Sequence, residues 1–232
     1  VFAAASLAEV LQEAAQAYSA AGGTSPRFSF DATSRLARQL VEGAPADLFF
    51  SADSRWMDQV DAAGLLLEGS RVDLLGNTLV VAVPRGTSAP ADPQALAAAP
   101  PERIALAGEH VPAGRYADAA LRNTNLLPAL QSRIIRGHSV RSVLAWLARG
   151  DVPMAVVYAS DAQSDARVQV AFALPASSHP PIVYVAAALR QTSASPQRVT
   201  AAEGFLKWCA GPKARAIFKR AGFTPLPVGS DR

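Results

Sequence analysis

Between Val1 and Val60 the chain passes three times from a short apolar run, through small or hydroxyl-bearing residues, into a segment of helical period. The first run, residues 1–5, ends at Ser6. The residues that follow place Leu7, Val10, Leu11, Ala14, Ala15 and Tyr18 on one helical face, until Gly22 and Gly23 stop it. A strand at 27–30 leads through the polar turn 31–34 into a helix carrying Leu36, Leu40 and Val41. A strand at 47–50 leads through Ser51, Ala52 and Asp53 into one carrying Trp56, Met57 and Val60. Such alternation specifies an α/β fold with mostly parallel strands, because parallel neighbours need a crossover and the helix supplies it. Ser6 and Glu9 form an S-x-x-E capping pattern, which sets the first strand-to-helix junction on Ser6.

Further along, residues 79–83 form a β-prone run and the Pro/Ala-rich stretch 84–101 reads as a loop and a candidate domain crossing. Beyond it come a strand at 104–106, the turn 108–114, a helix through Leu121, a helix at 140–148 and a strand at 154–158. A β run at 183–189 and helices at 205–209 and 212–221 close the chain. Two β runs that bracket a middle segment suit a chain that enters a second lobe and returns. With 50% apolar and 18% charged residues, the chain buries a substantial core and is not disordered. The net charge of +3 comes from scattered basic residues, so no nucleic-acid footprint is present. No apolar run is long enough to span a membrane, and the opening run at 1–5 looks like a mature or trimmed start. The single cysteine, Cys209, makes neither an internal disulfide nor a zinc site and reads as a buried small hydrophobe.

The chemistry of catalysis finds little to work with. His110, His138 and His179 lie far apart, with no H-E-x-x-H and no carboxylate at ligand spacing. Gly137-His138-Ser139-Val140-Arg141 matches a nucleophile elbow except that Arg141 stands where the final glycine belongs; Ser139 is better explained as the N-cap of the helix starting at Val140. Phosphate-binding glycine loops are absent. What recurs instead is a helix start carrying small or hydroxyl residues, at Ser6, at Thr33 with Ser34, at Ala113 and at Val140. Each exposes unpaired N–H groups and a partial positive charge, so several together make an anion site without a charged side chain.

The segments Phe2-Ala3-Ala4-Ala5-Ser6-Leu7, Leu36-Ala37-Arg38-Gln39, Gly43 to Asp53, Leu75-Gly76-Asn77-Thr78, His110-Val111-Pro112-Ala113-Gly114, Val157-Tyr158-Ala159-Ser160-Asp161 and Ile217-Phe218-Lys219-Arg220 come in an order and a wording that resemble the periplasmic molybdate-binding proteins of ABC transporters. The resemblance covers nearly the whole chain. It implies a two-lobed periplasmic-binding-protein fold of type II, α/β with mixed, mostly parallel sheets flanked by helices, and two hinge crossovers. Lobe 1 would be residues 1–81 with 187–232 and lobe 2 residues 82–186, with the ligand cleft between them. Carried over residue by residue, Ser6 and Thr33 would give hydroxyls, Ala113 and Val140 backbone N–H groups, and Tyr158 its phenol. Thr33 stands where the family commonly has serine, which leaves the choice between Thr33 and Ser34 open. Asp31 departs from the family's small residues and is expected to point outward, capping its turn; Arg115 adds a positive charge close by without taking part.

The resemblance implies a monomeric, non-catalytic periplasmic receptor that needs no cofactor, takes molybdate or tungstate as its ligand, has a membrane permease as its partner and binds no nucleic acid. A molybdate dianion presents only acceptors, so a site made only of donors matches it, and selectivity against sulfate rests on cavity size. Alternatives of other kinds are a receptor for sulfate, an esterase using Ser139, and the effector domain of a transcription factor.

Overall fold

A computed structural model describes residues 1–190 and 195–227; residues 191–194 and 228–232, which the expected first lobe includes, lie outside the described residues. The chain begins β1 (Phe2–Ala4), a 3₁₀ turn (Ala5–Leu7), α1 (Ala8–Ala20), β2 (Ser29–Asp31), α2 (Thr33–Val41), β3 (Leu48–Ser51), α3 (Ser54–Ala62) and β4 (Val72–Gly76). It continues with β5 (Leu79–Pro84), α4 (Pro93–Ala98), β6 (Ile104–Ala107), α5 (Pro112–Asn123), α6 (Leu127–Leu130), β7 (Ile134–Gly137), α7 (Val140–Arg149), β8 (Ala155–Tyr158), α8 (Ala159–Ser164) and β9 (Val168–Ala173). The last stretch is β10 (Val183–Ala188), α9 (Pro196–Ala210), α10 (Pro212–Arg220) and β11 (Thr224–Pro225).

Two compact units result, the first from 1–76 with 183–232 and the second from 77–182. The crossings fall at 76/77 and 182/183, where the sequence reading set them at 81/82 and 186/187. The earlier boundaries would have cut β5 and β10, and hydrogen bonding keeps each strand whole within one sheet. The stretch 84–101, expected to be a loop, holds the short helix α4, started by Pro93 and capped by Asp92 through the Ala95 amide at 2.8 Å.

The first unit has a six-stranded sheet in the order β11-β4-β10-β3-β1-β2, and the second a five-stranded one in the order β7-β6-β8-β5-β9. Both are mixed. Parallel pairing is confined to β3-β1-β2 and to β7-β6-β8, the strands that feed helices. The strands joined by hairpins or returning from the other unit pair antiparallel. In the first unit the apolar face of α2, with Leu36, Ala37 and Leu40, packs on Phe49, Met57, Val60 and Val185. On the sheet's other side Phe205 gathers Tyr18, Phe28 and Phe50 at ring-centroid distances of 5.3, 6.1 and 6.3 Å. Cys209 is fully buried there, and that apolar burial pushes its thiol pKa up, as its reading as a small hydrophobe requires.

Two glycines bring helix starts onto strand ends in the second unit. A Cβ on Gly114, in the first turn of α5, would lie 2.2 Å from the Gly108 carbonyl oxygen and 2.4 Å from that of Ala107. A Cβ on Gly137, which ends β7, would lie 2.7 Å from both Ser142 Oγ and Val143 Cγ2. Gly108, by contrast, has room for a methyl, its closest neighbour standing at 3.5 Å. Gly114→Ala should therefore lower stability by about 1–3 kcal/mol, because the obstruction is backbone, while Gly108→Ala stays within about 0.5 kcal/mol. Urea unfolding of the two variants beside the parent checks this; equal midpoints would remove close backbone approach as the reason for Gly114.

Candidate functional site

In an α/β sheet the loops that leave the carboxyl ends of parallel strands are where helix N-termini collect, and ligands bind there. All five candidate residues sit at such ends. In the first unit Ser6 follows β1 and Thr33 follows β2, on neighbouring strands. In the second, Ala113 follows β6, Val140 follows β7 and Tyr158 ends β8, again three neighbours. The structure thus groups two of the five in one unit and three in the other.

Ser6 does not cap α1. The helix starts at Ala8 with Leu7 as an N-cap that makes no side-chain bond, because the 3₁₀ turn takes up the residues between. The buried Ser6 hydroxyl instead meets the phenol of Tyr184 at 3.0 Å. Tyr184 comes from β10, far away in sequence, and nothing in the linear pattern pointed to it.

Thr33 and Ser34 are the first two residues of α2, whose N-cap, Ala32, offers no capping side chain. The intrahelical ladder begins later, with Arg35 and Leu36 both donating to the Ala32 carbonyl. The Thr33 and Ser34 amides therefore lack a helical acceptor. The Thr33 hydroxyl accepts the Ala52 amide at 3.1 Å, which orients it and leaves its own proton to donate. Asp31 behaves as its expected turn cap: one carboxylate oxygen accepts the Ala32 amide at 2.7 Å and the other pairs with Arg35 at 2.9 Å.

In the second unit α5 also starts without a capping side chain, at Val111, and its ladder begins when the Arg115 amide donates to the Val111 carbonyl at 3.0 Å. The Ala113 and Gly114 amides precede it. At α7 the N-cap is Ser139, as expected: its hydroxyl accepts the Ser142 amide at 3.2 Å and the Ser142 hydroxyl accepts the Ser139 amide at 3.1 Å. This box serves the third residue of the helix and leaves the Val140 amide outside the ladder. Tyr158 is 1% exposed and opposes Leu79 across the sheet, and its backbone N–H points to an Asp161 oxygen at 3.4 Å.

Helices elsewhere in the chain vary in their caps. Asp92 caps α4 and Ser195 caps α9, whereas α1, α6 and α10, like α2 and α5, start without a capping side chain. A groove of the second unit, about 680 Å³, is lined by Arg115, Arg122 and Arg136 together with Glu109 and Asp118. It contains none of the five candidates, and Arg136 is already bonded to Asp118 at 2.7 Å. Among the described residues no group of three or more His, Cys, Asp or Glu side chains is placed to hold a metal ion, and no helix is long and apolar enough to cross a membrane.

The model of the bacterial extracellular solute-binding protein family matches residues 1–224. The chain belongs to that family. Its relatives include the molybdate-binding protein ModA of Escherichia coli strain K12, 35% identical across 97% of this chain and 88% of the relative. ModA of Haemophilus influenzae is 33% identical across 97% and 89%. Among solved structures, the periplasmic molybdate-binding protein of Azotobacter vinelandii superposes with a TM-score of 0.84 at 28% identity, covering 97% of this chain and 98% of that one. The two-sheet, helix-flanked architecture read from the sequence is the one these proteins share.

Because Ser139 is spent on its cap, Ser139→Ala should lower stability by about 0.5–2 kcal/mol. Chemical unfolding measures that loss, and an assay with an activated ester should return the same background for variant and parent. Ester hydrolysis that depends on Ser139 would overturn the capping assignment.

Proposed function

We propose that this protein is the substrate-binding component of an ABC importer for molybdate, accepts tungstate comparably, and works in the periplasm without catalysing a reaction. It needs no cofactor in this reading, acts as a monomer, binds no nucleic acid, and hands the ion to a membrane permease. The observation that carries the reading is the donor set: helix starts with open amides at Thr33, Ser34, Ala113, Gly114 and Val140, and hydroxyl groups at Ser6, Thr33 and Tyr158, all at carboxyl ends of parallel strands. Relatives named for molybdate binding support the choice of ion.

Every oxygen of a fully deprotonated tetrahedral oxyanion accepts hydrogen bonds and none donates. Amides and hydroxyls held by the fold replace its water without reorganising, and helix dipoles add favourable potential at the same place. The first unit offers Ser6 and Thr33, and the second offers Ala113, Val140 and Tyr158. Tungstate, nearly the same size and charge, satisfies the same donors; sulfate is smaller and leaves some of them unmet.

Titration calorimetry with molybdate, tungstate and sulfate tests the assignment. Tight binding of the first two and weak binding of the third is expected, and ligand at about 1,000 times its dissociation constant should add about 4 kcal/mol to unfolding stability. Preference for sulfate would move the assignment to a different oxyanion, and no binding at all would reject it. Ser6→Ala and Tyr158→Phe should each weaken molybdate binding by about 1–3 kcal/mol, since each removes a donor to a charged acceptor. Thr33→Ala set beside Ser34→Ala reports which of the two hydroxyls touches the ion; we expect the larger loss at Thr33, whose oxygen the Ala52 amide already orients.

A further inference from the structure

Arg141 and Asp161 stand immediately beside two of the proposed donors, and the oxyanion assignment gives neither a task. Asp161 lies in the first turn of α8 with its side chain 0% exposed. One carboxylate oxygen faces the Tyr158 amide at 3.4 Å, and the other faces Arg141 Nε at 3.2 Å. Arg141 follows Val140 in the first turn of α7 and is itself mostly covered, with 21% of its side chain exposed. Its Nη1 donates to Ser164 Oγ at 2.9 Å, and that hydroxyl donates to the Asp161 carbonyl at 2.8 Å. One guanidinium therefore ties the start of α7 to both ends of α8. Asp165, which also feels Arg141, is bonded to Arg167 at 2.7 Å, while Asp161 faces Arg141 directly.

We infer that Arg141 is the positioning and charge-balancing residue of the second unit's donor set: its guanidinium cancels the buried Asp161 carboxylate so that a dianion can be held beside Tyr158 and Val140. This rests on the oxyanion reading given above. Asp161 is useful where it is, because a carboxylate in the first turn of a helix complements the dipole and its oxygen receives the amide of Tyr158. Its charge is the difficulty. Within a buried environment repulsion between carboxylate and dianion is poorly screened, and only a neighbouring cation removes it. Placing that cation on α7, bonded away from the helix start towards α8, neutralises Asp161 while the Val140 amide stays available.

A charge-balancing role and a simple brace make different predictions, because the two single variants leave opposite charges behind. Arg141→Gln leaves the buried carboxylate without its cation and should weaken molybdate binding on the order of tenfold or more. Asp161→Asn keeps the shape and the acceptor for the Tyr158 amide but leaves the guanidinium, so affinity should hold or rise. The double variant should return close to the parent. Calorimetry with molybdate measures all four proteins, and ligand-free thermal unfolding confirms that each is folded before titration. Equal losses in the two single variants, no change in either, or a double variant as weak as Arg141→Gln would overturn the inference while leaving the oxyanion reading in place. A parent protein that binds no oxyanion overturns both.

Discussion

An amide in the first turn of a helix has no acceptor inside that helix, and a buried one must find a partner elsewhere. At α3, α4, α7 and α9 that need is met locally, by Asp53, Asp92, Ser139 and Ser195. At α2 and α5 no side chain meets it, and at α7 the cap is directed past Val140 to the third residue. The open amides of α2, α5 and α7 stand where parallel strands end.

Bringing backbone to that position demands close approach, and the chain meets the demand with glycine. Gly114 lets the first turn of α5 lie on the carbonyls of residues 107 and 108, and Gly137 lets α7 fold back over the end of β7. In the first unit the polar side chains at the strand ends are bonded in their turn: Ser6 to Tyr184, Thr33 to the Ala52 amide, Asp31 to Arg35. Such second contacts fix the direction of each side chain. Charge is handled in the same way, with carboxylates near the helix starts matched to a guanidinium from the same neighbourhood.

Much of this was legible beforehand where the signal is local. Strand-to-helix junctions at Ser6, Thr33 and Val140 were read from apolar period and turn residues, and Ser139 from its place before an apolar run. The Ser6 cap was misread because a 3₁₀ turn delays α1, and an S-x-x-E pattern looks the same whether or not such a turn intervenes. The helix α4 was missed since alanine and proline dominate its segment and obscure its period. The unit boundaries shifted by several residues because a β run in sequence does not say which sheet will pair with it.

The sequence by itself determined the class of fold, the alternation of strand and helix, and the resemblance that singles out five residues. These depend on periodicity and on short spacings, which a chain carries wherever it goes. Tertiary structure alone decided that Tyr184 meets Ser6, that Ala52 orients Thr33, and that Arg141 faces Asp161. Each of those pairs joins residues distant in the chain or on different elements, and only strand order and helix packing determine which distant groups come within hydrogen-bonding reach.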